Sequence, residues 1–241
     1  MTARAQWKEL CMDTTGGEAL GRFWADVIGL EFRPDPGDAP DDPGDARDDP
    51  GDVVGPLEGH GVAMCRVTEE KSVKHRVHFD VYAGSVEELV EHGAAVVLPA
   101  EESGFGWTVM TDPEGGEFCA FLREPADLPD YRLHGLVVDS VDPEHIARWW
   151  GETLGVEPGG DAAKGWWWLE NVPDLPITTM DFVPVPEAKT VKNRLHWDVY
   201  STVTEMESVG ATLLRARDDE IGWDVMADPE GNEFCVFDRI A

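Results

Sequence analysis

The chain has 241 residues, 49 acidic against 19 basic, and carries a net charge of −30 at pH 7. A surface of that sign repels the phosphates of nucleic acid and of anionic lipid, so neither is expected as a partner. Its 42% hydrophobic content is that of a globular protein, no run approaches the ~18 apolar residues of a membrane span, and the first residues (MTARAQWKELCMD) contain no apolar core of a signal peptide, so a cytoplasmic protein with reduced cysteines is expected.

A strand near residues 7–13 opens the chain, and a helix follows over about 17–28. In it Leu20, Phe23, Trp24 and Val27 recur at helical period and define one apolar face. Residues 34–52 (PDPGDAPDDPGDARDDPGD) are an Asp/Pro/Gly repeat with eight Asp. Such a segment cannot bury a core and reads as a mobile surface loop; it lacks the spacing of a calcium loop. A strand pattern over 76–82 leads into a short helix that starts at a capping box, Ser85 with Glu88, and stops at Gly93. Short strands follow at 94–98, 105–111 and 117–122, with DPEG at 112–115 as a turn.

The same order then returns. A strand at 133–139 precedes a helix with Asp142 as N-cap and Pro143 at its first position, and Ile146, Trp149, Trp150 and Leu154 form its apolar face. Thr202, Glu205 and Gly210 bound a second short helix, and strands at 211–215, 222–227 and 233–238 close the chain around a second DPEG at 228–231. The repetition is literal. GWTVMTDPEGGEFCAF (106–121) recurs as GWDVMADPEGNEFCVF (222–237) with 12 of 16 positions identical, and KSVKHRVHFDVY (71–82) as KTVKNRLHWDVY (189–200) with 8 of 12. The chain is therefore a duplicated unit, divided as 1–125, a linker at 126–130, and 131–241.

Side chains alternate along a strand. Val77, Phe79 and Val81 therefore share one face, and Arg76, His78, Asp80 and Tyr82 the other. The second copy sets Leu195, Trp197 and Val199 against Arg194, His196, Asp198 and Tyr200. On the closing strands Glu117 and Cys119 point together, as do Glu233 and Cys235. Each half thus repeats a polar stripe, read as a ligand-facing surface; a buried ion-pair network would give the same pattern.

These blocks resemble the vicinal-oxygen-chelate superfamily of glyoxalases, bleomycin-resistance proteins and extradiol dioxygenases, and in particular its glyoxalase-like domains. The resemblance rests on RVHFD and RLHWD, on the helices ending at Gly93 and Gly210, and on DPEGGEFC and DPEGNEFC. It implies an α+β fold of two tandem domains, each of two βαβββ modules forming a curled mixed sheet, with the halves paired pseudo-symmetrically in a monomer or homodimer. It also implies a divalent-metal site with one ligand from a first strand, a His opening a second module's strand, and a Glu on a last strand. His78 and His196 match the second position. Metal-binding members read G-N-x-x-E at the third, where this chain has Cys119 and Cys235, with Glu117 and Glu233 two residues earlier on the same face, which leaves a shifted carboxylate or a thiolate as the substitute ligand. The sets then available are His134, His196 and Glu233, or Glu9, His78 and Glu117, and the departure favours a degraded metal site over an intact one.

Three readings follow. The first is a small-molecule binding protein, whose ligand is a planar metabolite or antibiotic stacked on Trp166, Trp167 or Trp168 and oriented by Arg194 or His196 in a pocket at 131–241, the first half serving more as scaffold. The second is a metal-dependent lyase, isomerase or dioxygenase in which Glu117 or Glu233 moves a proton. The third is a structural tandem domain.

Overall fold

The four βαβββ modules are seen in a computed structural model that describes residues 2–35, 49–57 and 59–239. Most of the acidic repeat lies outside the described residues. The first module comprises β1 (Gln6–Thr14), α1 (Glu18–Ile28), β2 (Glu31–Pro34), β3 (Gly51–Val54) and β4 (Val62–Arg66). The second comprises β5 (Val77–Ala83), α2 (Val86–His92), β6 (Ala95–Leu98), a single-turn α3 (Ala100–Ser103) absent from the sequence expectation, β7 (Thr108–Thr111) and β8 (Glu117–Leu122). The third runs β9 (Leu133–Ser140), α4 (Pro143–Leu154), β10 (Gly159–Asp161), β11 (Trp166–Glu170) and β12 (Thr179–Pro184). The fourth runs β13 (Leu195–Tyr200), α5 (Val203–Ser208), β14 (Thr212–Arg215), β15 (Asp224–Ala227) and β16 (Glu233–Phe237). The expected caps are in place: the side chains of Ser85, Asp142 and Thr202 accept from the N–H groups of Glu88, His145 and Glu205. Among the described residues no helix is long and apolar enough to cross a membrane.

The strands form two eight-stranded mixed sheets, as the resemblance implies, but each sheet draws one module from each half. One, here called sheet A, has the order β14-β15-β16-β13-β1-β4-β3-β2, and sheet B has β10-β11-β12-β9-β5-β8-β7-β6. The first and last modules join through antiparallel β1–β13, and the middle two through antiparallel β5–β9. The expectation of one sheet per half is corrected here. Duplicated modules carry the same local pattern, and strand alternation does not say which copy each will pair with.

The helices tie the sheets into one core. Trp24 of α1 packs edge-on against Phe79 of β5 and Phe118 of β8, with ring centroids at 5.0 and 5.3 Å. Trp150 of α4 does the same to Trp197 of β13 and Phe234 of β16, both at 5.1 Å. Each long helix therefore lies beneath strands of its own module's sheet while its tryptophan enters the other sheet. Helix α1 ends at Gly29, φ 76°, where a Cβ would stand 2.1 Å from the Asp130 carbonyl oxygen; only glycine fits that approach.

The two DPEG turns also bind sheet to sheet. Asp112 and Asp228 accept from the N–H groups two and four residues on and shape each turn. That aims Glu114 at Thr14, Thr15 and Gly16 at the end of β1, and Glu230 at Ser140, Val141 and Asp142 at the end of β9. Glu230→Ala leaves the part-buried Ser140 hydroxyl and the exposed N–H groups of Val141 and Asp142 without their acceptor, so a loss of about 1–2 kcal/mol is expected in urea unfolding; an unchanged midpoint would show that water replaces the carboxylate at no cost.

Candidate functional site

Strand parity holds. Val77, Phe79 and Val81 are at most 1% exposed in the core, and His78, Asp80 and Tyr82 turn to the other face of sheet B. Across it, His78 Nε2 lies 3.7 Å from Cys119 Sγ and 3.8 Å from an Asp80 oxygen. Burial drives the Asp80 carboxyl up to about 8, with Asp181 of β12 adding to the effect, and burial brings His78 down to about 3. Both are therefore uncharged at neutral pH, and their contact is a neutral one despite its ion-pair geometry. Burial likewise raises the Cys119 thiol.

His134 reaches the same face through a β-bulge. Asp80 pairs with Gly135 and Val81 with Leu133, so His134 is skipped, and its ring stacks on Tyr82 at 4.4 Å and meets Phe121 at 5.6 Å. The tryptophan run divides by alternation. Trp167 packs on the helix side with Arg148 of α4 over its ring, while Trp166 and Trp168 lie on the opposite face, Trp168 paired with Asp181. All of these residues belong to sheet B, whereas His196, Asp198, Tyr200, Glu233 and Cys235 belong to sheet A. The expected grouping of the tryptophans with His196 and Arg194 is therefore corrected. The set His134, His196 and Glu233 is split between sheets, and so is Glu9 from His78 and Glu117, because each half contributes to both sheets.

The basic blocks prove to be straps. Lys71 and the His75 N–H bond Glu117 at 3.1 and 3.0 Å, and Lys189 and the Asn193 N–H bond Glu233 at 2.6 and 3.1 Å. Although burial pushes Glu117 up, these bonds hold its carboxyl below the ordinary range. Arg76 donates to the carbonyls of Glu187 and Asp139, and Arg194 to those of Glu69 and Asp13 and to Glu114. Lys74 pairs with Asp139 and Lys192 with Asp13. Arg76, Arg194, Lys74 and Lys192 thus fasten one half to the other around a groove of about 880 Å³ at the seam, while Glu117 and Glu233 anchor the basic loops within their own halves. The glutamates are engaged and cysteines hold the last-strand position, so the residues present do not fit the nitrogen-and-oxygen metal set implied by the resemblance.

Sheet A presents a cup of about 960 Å³. Its wall is Trp223 stacked on Phe237 at 5.4 Å, with the Lys8 ammonium 4.3 Å above the Phe237 ring. Its floor holds Cys11, His196 and Asp198, with donor atoms within 4.8 Å of one another, and Cys65 and Cys235 also line the cup. Burial raises Asp198 to about 6, against the nearby Lys8 charge, and all four cysteines of the chain are free thiols. Sequence reasoning missed Cys11, Cys65 and Trp223. The GW pair repeated at 106–107 and 222–223 was the available signal for Trp223; Cys11 and Cys65 have no counterpart in the repeat to reveal them.

Four βαβββ modules, joined in pairs into two cupped sheets, define a tandem protein of the vicinal-oxygen-chelate class. The chain belongs to the Glyoxalase-like domain family, which it matches over residues 9–121 and 135–237. Among solved structures it is similar to an E144Q mutant of glyoxalase I from Zea mays, at 14% identity and a TM-score of 0.62, covering 98% of this chain and 94% of that one. It is also similar to a dioxygenase, so described provisionally, from Bacillus subtilis, at 14% identity and a TM-score of 0.59, covering 98% and 86%. At such identities these likenesses speak for the fold alone. No curated protein matches the chain significantly.

Proposed function

We propose that the protein binds a small planar organic molecule in the sheet A cup. The observation that carries this reading is a cavity of about 960 Å³ with a stacked Trp223–Phe237 wall above a polar floor, the proportions of a ligand site rather than of a packing defect. The ring of the ligand stacks on Trp223, and one polar end meets Asp198 and His196. In sheet B the exposed faces of Trp166 and Trp168 offer a second, separate surface. A catalytic role for Glu117 or Glu233 finds no support in this arrangement, because each carboxylate is engaged by a lysine and a backbone N–H.

Titration of intrinsic tryptophan fluorescence with a panel of aromatic metabolites and antibiotics tests the reading. Trp223→Leu should weaken the binding found by about tenfold, the worth of one aromatic stack with its buried area, while Trp168→Leu should leave it unchanged. The opposite result would move the site to sheet B.

A further inference from the structure

The seam groove contains an arginine whose repeat counterpart shows what it lacks. Residues 71–76 and 189–194 (KSVKHR and KTVKNR) carry six of the chain's 19 basic residues and none of its 49 acidic ones. In a protein of net charge −30, an anion meets the least repulsion beside these blocks. Arg76 and Arg194 close them, and both line the groove. We propose that the groove binds an apolar organic acid of the medium-chain fatty acid class, with its carboxylate on Arg76. The site lies outside both cups and does not depend on the planar-ligand reading.

The two arginines make matching backbone bonds. Arg76 donates to the carbonyls of Glu187 and Asp139, and Arg194 to those of Glu69 and Asp13. They differ in countercharge. Arg194 also reaches the Glu114 carboxylate at 3.1 Å. The counterpart of Glu114 is Glu230, whose oxygens are taken by Ser140, Val141 and Asp142. Arg76 accordingly forms no ion pair among the described residues, and its buried Nε–H has no acceptor. A half-buried guanidinium without a countercharge is costly to keep. The ligand's carboxylate supplies what Glu114 gives Arg194, and the guanidinium N–H groups not engaged by the two carbonyls are its donors.

The other charges of the groove are already matched or stand in water. Lys74 and Lys192 pair with Asp139 and Asp13, and Lys71 with Glu117. Glu69, Glu70 and Glu187 are exposed, so solvent and salt screen their repulsion of an anion. Lys74 strengthens the Arg76 end. Both side chains meet at Asp139, the ammonium on its carboxylate and the guanidinium on its carbonyl, so the ammonium stands near the guanidinium with further N–H groups to donate.

The apolar lining selects the body of the ligand. Val77 is buried beneath the groove, and Val73 and Val191, the third residues of the two blocks, line it while 42% and 41% exposed. A hydrocarbon chain laid along these valines removes apolar surface from water on both sides. A groove of about 880 Å³ has the size of a small-molecule site. Inorganic phosphate or acetate would meet Arg76 and leave the valines wet, so chain length should contribute to affinity as much as charge does.

Isothermal titration of the full-length protein with octanoate tests the site, with octanol and acetate as the uncharged and the chainless comparisons. Octanoate should saturate one site, and each comparison should bind about tenfold more weakly or worse. Arg76→Gln should cost octanoate about tenfold in affinity. Because Arg76 also joins the two halves, that variant is first checked by circular dichroism. Should it fail to fold, the double variant Val73→Asp, Val191→Asp decides, since both positions are exposed and two added carboxylates should repel the acid and abolish binding. No saturable octanoate binding, octanol bound as tightly as octanoate, or unchanged affinity in either folded variant would overturn the proposal. Trp223→Leu should bind octanoate as the wild type does, which separates this outcome from the planar-ligand reading; binding lost in Trp223→Leu would place the acid in the sheet A cup and overturn the seam site.

Discussion

Replacing Trp150 by alanine is expected to lower the unfolding free energy by about 4 kcal/mol, the range of a fully buried aromatic removed from a core that cannot collapse around the gap. Trp150 has no exposed surface. It touches Trp149 at 4.7 Å and Trp197 and Phe234 at 5.1 Å, and its Nε1–H donates to Asp228 at 3.1 Å. The cavity would open between α4, whose module builds sheet B, and strands β13 and β16 of sheet A. Trp150→Phe keeps most of the packing but removes the donor to Asp228, so a smaller loss is expected, with about 1 kcal/mol of it from the hydrogen bond. Urea unfolding followed by tryptophan emission and by far-ultraviolet circular dichroism gives the measurement. Because each long helix links both sheets, the two probes should report one transition in the wild type. Separate transitions for the two sheets, or an alanine variant as stable as the wild type, would show that this junction does not hold the molecule together.

That junction also marks the boundary of what could be read from the amino-acid order. Alternation along a strand is a local property, and Val77, Phe79 and Val81 declare their buried face without reference to anything distant. The caps at Ser85, Asp142 and Thr202 are equally local, each side chain satisfying an N–H three residues on. The partner of a module is not local. Trp166 to Trp168 and His196 lie in the same half of the chain, yet Trp168 pairs with Asp181 in sheet B while His196 pairs with Cys11 in sheet A. The expected pocket of the second half therefore dissolves into two cups shared by both halves. Glu117 and Glu233 illustrate a second limit. Their position beside Cys119 and Cys235 was legible, but their engagement by Lys71 and Lys189 depends on how the preceding loops fold back. Conversely, Cys11 and Cys65 are unremarked in any repeat because the duplication has diverged at those two positions, and only the register of β1 and β4 brings them together.

Asp80→Asn is expected to remove much of the pH dependence of stability between about pH 4 and pH 8. In the folded protein the Asp80 carboxyl is raised to about 8 by burial and by Asp181, from an ordinary value of 3.8. Between those two values the folded state keeps a proton that the unfolded chain has released. Stability must then fall as pH rises through this window, and the loss is complete above about 8. Four pH units at 1.36 kcal/mol each set the loss from this group at no more than on the order of 5 kcal/mol. Asparagine preserves the neutral shape and has no proton to lose. Asp112 and Asp198, both raised to about 6 chiefly by burial, add slopes of the same sign at lower pH. His78, lowered to about 3 by burial, opposes them below its ordinary value. All three are retained in the variant, so the difference between the two proteins isolates Asp80. Urea unfolding of both at pH 5 and pH 8 provides the comparison: the wild type should lose several kcal/mol more than the variant over that interval, about 1.4 for each pH unit in which Asp80 is protonated only in the folded state. Parallel profiles would mean that Asp80 is already ionised in the folded protein, with water or a cation reaching it beside Asp181.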